Sequence, residues 1–182
     1  MVFDPQYLIM VFLPTLIICG LAQMRVKSAF AKYSRVRASS GLTGAEAAQE
    51  MLRQAGLGGT VGIERVQGFL SDHYDPRHKV LRLSPQVYDS NSLAAVGVAC
   101  HEAGHAIQDA RNYVPLVLRN AIVPTASIGS NFGVFLMIGG LILNGIFSIS
   151  IGMGLAWIGL ALFGAVVVFQ LVNLPVEFNA SS

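Results

Sequence analysis

The chain has 182 residues, 53% hydrophobic and only 12% charged, with a mean hydropathy of +0.58. Soluble domains carry about 25% charged residues, so this composition argues against a wholly soluble protein and for a small domain joined to membrane spans. A net charge of +2 says nothing about nucleic acid, but no basic cluster is interleaved with aromatics, so no nucleic-acid partner is expected, and two cysteines, Cys19 and Cys100, are too few for a disulfide framework.

Residues from about Tyr7 to Met24 carry no charge and are mostly large and apolar, and about 18 such residues suffice to cross a bilayer. Pro14 is tolerated in a membrane helix. Asp4 precedes the run and no Lys or Arg does, so the basic start of a cleaved signal is missing. Residues 1–24 are therefore predicted to be an uncleaved anchor. Arg25, Lys27, Lys32, Arg35 and Arg37 follow it directly, which places this side in the cytoplasm and the amino terminus outside. All twelve Lys and Arg lie between Arg25 and Arg119, so residues 25–119 are predicted to form a cytoplasmic domain.

Within that domain Thr43-Gly44-Ala45-Glu46 has capping-box spacing, and a short helix is expected to run to about Gln54, with Gly56 ending it. Val61 to Leu70 and Lys79 to Leu83 read as short strands. Between them Ser71 to His78 is polar and turn-rich. Asp72, His73, Asp75 and His78 there suggest a second metal site only weakly, and a surface hairpin is the simpler reading. Ser84-Pro85 opens a brief helix. Asn91 or Ser92 then caps a helix that continues to about Ala110.

That helix carries His101-Glu102-Ala103-Gly104-His105. Histidines four residues apart share one helical face, and His-Glu-x-x-His on a helix is a zinc-peptidase pattern. Two imidazoles converge on one metal, while Glu102 reaches a water polarised by it without being a ligand. The competing reading makes His101 and His105 satisfied core histidines and Glu102 a solvent-facing acid. The flanking residues, Leu93 to Cys100 and Ala106-Ile107, are small and apolar, and two His and a Glu are costly to bury among them without partners. Cys100 points off the histidine face and reads, like Cys19, as a small buried hydrophobe. Asp109, four residues past His105, reads either as a hydrogen-bond partner for a ligand imidazole or as a plain solvent-facing acid.

From Asn120 to Val176 no residue is charged. This length suits two spans, about Ile122 to Leu143 and Ile149 to Val172, with Asn144-Gly145 as the turn, so residues 120–172 are predicted to form a hairpin. Its glycines and serines favour close helix packing in lipid. A hairpin returns the chain to the face it left. Glu177, in the segment 173–182, then lies on the same side as His101 and His105. A catalytic zinc site takes three protein ligands and a water, and His₂Glu is a known set. Glu177 reads either as that third ligand or as an interfacial acid closing a membrane helix.

The anchor, the small domain, His101-Glu102-Ala103-Gly104-His105, the apolar hairpin and Glu177-Phe178-Asn179-Ala180-Ser181 together resemble the membrane zinc metallopeptidases of the YugP type, related to HtpX and CAAX-prenyl-protease enzymes. The resemblance covers nearly the whole chain. It implies a mainly α membrane protein with about three transmembrane helices and an α+β zincin-like cytoplasmic domain, set in a bacterial plasma membrane. It implies Zn²⁺ as cofactor, His101, His105 and Glu177 as its ligands, and Glu102 as catalytic base. It implies a protein or peptide as substrate and the lipid bilayer as partner. It further implies that Lys79 to Leu83 is the strand edge that aligns substrate, and that relatives continue past Ser182, so a longer natural chain is expected. Ser181 stands where the HtpX-type pattern carries Asp.

Rival readings are a site-2-type intramembrane metalloprotease and a non-enzymatic zinc-binding membrane scaffold. The first requires an Asp ligand in an Asn-Pro-x-x-Asp-Gly or Leu-Asp-Gly stretch, and the sequence has neither. The second requires a fourth protein ligand, for which Cys100 and Asp109 are the nearby candidates. The reading carried forward is a membrane-anchored zinc endopeptidase. Its oxyanion stabiliser is drawn from His73, His78, Tyr88 or Arg111, among which the sequence does not choose.

Overall fold

A computed structural model describes residues 8–68 and 71–182, with backbone alone for residues 8, 11 and 124–131. Residues 1–7 of the expected anchor, and Phe69 and Leu70 of the first expected strand, lie outside the described residues. The fold is mainly helical with one small sheet. A π-helical turn, Leu8–Phe12, runs into α1 (Leu13–Tyr33), followed by α2 (Gly44–Gln54), β1 (Gly62–Arg65), β2 (His73–Asp75), β3 (Val80–Leu83), α3 (Pro85–Tyr88), α4 (Leu93–Ala110), α5 (Val114–Gly145) and α6 (Ile151–Ala180). The described chain divides into two compact units.

One unit takes the chain up to His73 together with Val80–Cys100. Its α2 starts where the sequence says it should. Thr43 accepts from the Glu46 backbone N–H, and the Glu46 carboxylate accepts from the Thr43 backbone N–H at 2.8 Å. Ala48, Leu52, Leu81, Leu83, Val87 and Ala95 are essentially inaccessible. Gly44 lets α2 press against this core, since a Cβ there would meet the carbonyl oxygens of Val87 and Ala95.

β1 and β3 pair in parallel with Gly62 opposite Val80 and Arg65 opposite Leu83, and the sheet order is β1-β3-β2. This order corrects the expectation that Lys79 to Leu83 offers a substrate-aligning edge. β3 is the central strand, and its alternation buries Leu81 and Leu83 completely. A strand flanked on both sides has no free backbone groups to offer. β2 was hidden from the sequence because its three residues, His73, Tyr74 and Asp75, carry no apolar alternation.

The other unit takes Tyr74–Lys79 and His101–Ser182. In it α5 and α6 pack closely along glycines. A Cβ at Gly140 would lie 2.5 Å from the backbone of Gly152 and Ala156, and one at Gly159 would lie 2.4 Å from Met137. The reversal falls later than Asn144-Gly145. α5 runs through Gly145, and the turn occupies the residues before Ile151, with Ser148 at φ 54°. α6 continues through Pro175 to Ala180, so the segment from Asn173 is helical. Among the described residues α6 is the one helix long and apolar enough to cross a membrane, with a mean hydropathy of 2.3 in its most apolar stretch.

Candidate metal centre

The motif helix α4 has a stripe of alanines, Ala95, Ala99, Ala103 and Ala106, at most 1% exposed. Their spacing of four, four and three residues makes one helical face. His101 and Glu102 flank that face half-buried, and His105 is 8% exposed. Gly104 brings α6 alongside. A Cβ on it would stand 2.5 Å from the Ala180 carbonyl oxygen, so only the absence of a side chain permits the approach.

That approach delivers Glu177 to the histidines. Its Oε2 lies 3.1 Å from His101 Nε2 and 3.6 Å from His105 Nε2. The imidazoles meet edge to face, with centroids 4.7 Å apart. One ligand atom from each of the three residues falls within 4.8 Å of the other two. Ligands held about 2.0–2.2 Å from a tetrahedral zinc lie roughly 3.3–3.6 Å from one another; the His105 contact to Glu177, at 3.6 Å, meets that span and the His101 contact, at 3.1 Å, is slightly shorter.

Each imidazole is oriented by a partner on its other nitrogen. His105 Nδ1 is 3.0 Å from Gln108 Oε1. Gln108 Nε2 in turn donates to the Val176 carbonyl at 2.9 Å and to Asn179 Oδ1 at 2.8 Å. A main-chain carbonyl only accepts, so the amide orientation is fixed and Gln108 Oε1 must accept from His105. The His105 proton therefore sits on Nδ1, leaving the Nε2 lone pair toward Glu177. His101 Nδ1 is 2.9 Å from Ser181 Oγ, which allows the same tautomer. The His105 Nε2 lone pair and the Glu177 carboxylate oxygen face each other 3.6 Å apart, an arrangement that repels unless a cation stands between them. The donor set thus fits Zn²⁺.

Gln108 and Ser181 are the residues the sequence did not single out for this duty. Gln108 lies three positions after His105, a spacing as good as that of Asp109, and the helical period does not decide between them. Asp109 turns elsewhere, accepting from the Tyr74 hydroxyl at 2.7 Å and from Lys79 Nζ. Ser181 offers His101 Nδ1 a neutral hydroxyl at 2.9 Å.

Glu102 is not part of the three-residue cluster. Its Oε2 accepts the Tyr74 backbone N–H at 3.2 Å. Burial pushes the Cys100 thiol up from its ordinary pKa, which keeps it in its unreactive form. Asp72 is occupied by the Ser84 N–H and hydroxyl, His73 Nδ1 by the Ser71 carbonyl, and His78 by Asp75 at 2.7 Å. Among the described residues, the metal-capable cluster of three or more side chains is the one on α4 and α6. Tyr88 lines a separate cleft of about 610 Å³ with Thr43, Glu46 and Ile63, and Arg111 is exposed near the end of α4.

Residues 8–182 match the family described as "Putative neutral zinc metallopeptidase". The chain is 48% identical over 161 residues to a protein of Bacillus subtilis (strain 168) named "Putative membrane protease YugP". That match covers 88% of this chain and 68% of the relative. No solved structure matches the chain.

Proposed function

The chain belongs to the neutral zinc metallopeptidase family typified by YugP, and from this we propose that it is a membrane-anchored zinc endopeptidase cleaving protein or peptide substrates. The observation that carries the reading is the convergence of His101, His105 and Glu177, with Glu177 Oε2 at 3.1 and 3.6 Å from the two Nε2 atoms. These three side chains would hold the ion. Zinc, when bound, supplies a Lewis acid that polarises a carbonyl and makes water a better nucleophile near neutral pH. Glu102, one residue along the helix from His101 and outside the ligand set, takes the proton from the attacking water and returns it to the leaving amine. Gln108 and Ser181 keep both imidazoles in the tautomer that turns Nε2 inward.

The membrane is part of the same proposal. Residues 1–24 anchor the chain, residues 25–119 form the zincin-like domain on the cytoplasmic side, residues 120–172 make a hairpin in lipid, and residues 173–182 bring the third ligand. Support comes from the apolar length of α6, from its exposed Trp157, Leu160, Val168 and Leu171, and from the relative's name. The cluster of Arg and Lys after the first apolar run supports the cytoplasmic orientation. Kinship with HtpX-type enzymes rests on the Glu177 to Ser181 segment. That the third carboxylate is a Glu on a late helix disfavours the site-2-type alternative.

The test is cleavage of an unfolded polypeptide by the full-length chain in detergent, wild type against Glu102→Gln, with zinc measured in both. The proposal expects cleavage by wild type, abolition by chelator, and loss of cleavage with zinc retained in Glu102→Gln. Zinc bound equally by both proteins with no cleavage by either favours the scaffold reading.

A further inference from the structure

The segment Tyr74–Lys79 is fastened along α4 at three points, and one of them is the proposed base. The Tyr74 backbone N–H donates to Glu102 Oε2 at 3.2 Å, the Tyr74 hydroxyl donates to Asp109 Oδ2 at 2.7 Å, and Lys79 Nζ pairs with the same Asp109 oxygen. Glu102 and Asp109 are seven residues apart, which on a helix is two turns along one face, about 10 Å. The tyrosine side chain bridges that interval. Its main chain meets Glu102 and its tip meets Asp109.

The turn between these points is stiffened from within. Asp75 Oδ1 accepts the backbone N–H groups of Arg77 and His78, and Asp75 Oδ2 pairs with His78 Nδ1. Lys79 closes the turn at φ 54°, a left-handed conformation disfavoured for a residue with a Cβ. Such strain persists where surrounding contacts over-determine it and tends to gather at functional sites. Here the contact is the ion pair to Asp109, whose side chain is only 19% exposed. Burial, with the charge of Asp109, pushes the Tyr74 phenol well above its ordinary pKa, so it remains a hydrogen-bond donor throughout the working pH range.

We propose that Tyr74, Asp109 and Lys79 are positioning residues for Glu102: the strap they pin to α4 holds the Tyr74 N–H against the Glu102 carboxylate and fixes the direction in which that carboxylate faces. A base displaced by about 1 Å can lose 100-fold in rate. The strap supplies one fixed donor, the Tyr74 N–H, to Oε2 of the Glu102 carboxylate. Its kinetic consequence rests on the peptidase reading; the fastening itself does not.

Two arms, both on the full-length chain in detergent, keep these apart. In the first, hydrogen–deuterium exchange follows the 74–79 segment. Asp109→Ala is expected to accelerate exchange there by about 10-fold, with α6 unchanged, and Glu102→Ala to accelerate the Tyr74 amide alone. Unchanged exchange in Asp109→Ala overturns the proposal whether or not any substrate is cleaved. In the second arm, Tyr74→Phe and Lys79→Met are expected to lower kcat by about 10- to 100-fold, with KM and zinc affinity within about twofold of wild type, and Lys79→Arg is expected to restore the rate. A matching loss of zinc affinity, or unaltered kcat in both variants, overturns the assignment. If wild type cleaves nothing, the peptidase reading fails and the exchange arm still decides the strap.

Discussion

Replacing Gly104 by alanine puts a methyl group where α6 comes closest to α4. The added Cβ would lie 2.5 Å from the Ala180 carbonyl oxygen and 3.1 Å from Ala180 Cα. Ordinary contact begins at 3.4 Å, so going from 2.5 to 3.4 Å means a withdrawal of about 0.9 Å. Ala180 is three residues from Glu177, less than one helical turn, and the shift therefore reaches the carboxylate. Zinc–ligand distances tolerate only about 0.2 Å. Gly104→Ala is expected to weaken zinc binding by about 100-fold, the upper end of the loss that comes from disturbing a ligand's support. Overpacking should also cost the apo-protein about 1–3 kcal/mol. The sign is diagnostic, because in an unobstructed helix the same change stabilises by about 1 kcal/mol. Gly97 lies on the same helix with nothing within 4 Å of its added Cβ, so Gly97→Ala is the control and should gain roughly that amount. Chelator competition gives the zinc affinity, and thermal unfolding with and without zinc gives the stability. A Gly104→Ala protein that melts higher and binds zinc as tightly as wild type would refute the close approach of the two helices.

Gln108→Ala leaves His105 Nδ1 without its acceptor and is expected to cost 10- to 100-fold in zinc affinity by the same competition assay. Ser181→Ala should cost about 10-fold, at the low end of that range, and Ser181→Asp should bind more tightly than wild type. Thr43→Ala removes one half of the α2 capping box and is expected to cost about 1 kcal/mol in chemical denaturation. Glu50 should titrate at about 2 rather than 4.5, because Arg53 and Gln54 donate to its carboxylate. Its folded pKa is depressed, so its contribution to stability is complete above about pH 4.5 and is lost as pH falls toward 2. NMR titration of Glu50 checks the value, and Arg53→Ala should move it back upward.

What could be read from the sequence was local. The Thr43 capping box and the end of α4 near Ala110 depend on neighbours within a few residues, and both are present. The sheet order depends on pairings between distant segments, so the central place of β3 was not legible, and Lys79 to Leu83 was expected at an edge. β2 was missed because its neighbours, not its composition, make it a strand. The second span was expected to end near Val172, yet α6 continues through Pro175 to Ala180. Asp109 and Gln108 sit equally well for His105 by period alone. Gln108 has the amide that bonds His105 and α6 together, while the charge of Asp109 is taken by Lys79. The sequence did raise Glu177 as a candidate, because an apolar excursion of fixed length returns the chain to where it left. The close approach itself depends on Gly104, whose lack of a Cβ matters only once Ala180 is seen against it.

The central claim is that one ion is shared by His101, His105 and Glu177. Zinc K-edge absorption on the purified full-length protein, repeated on Glu177→Ala, tests it most directly. The expected wild-type spectrum has two imidazole nitrogens and oxygen ligands at about 2.0–2.2 Å, with one oxygen and most of the affinity lost in Glu177→Ala. An identical spectrum and affinity in the two proteins would contradict it.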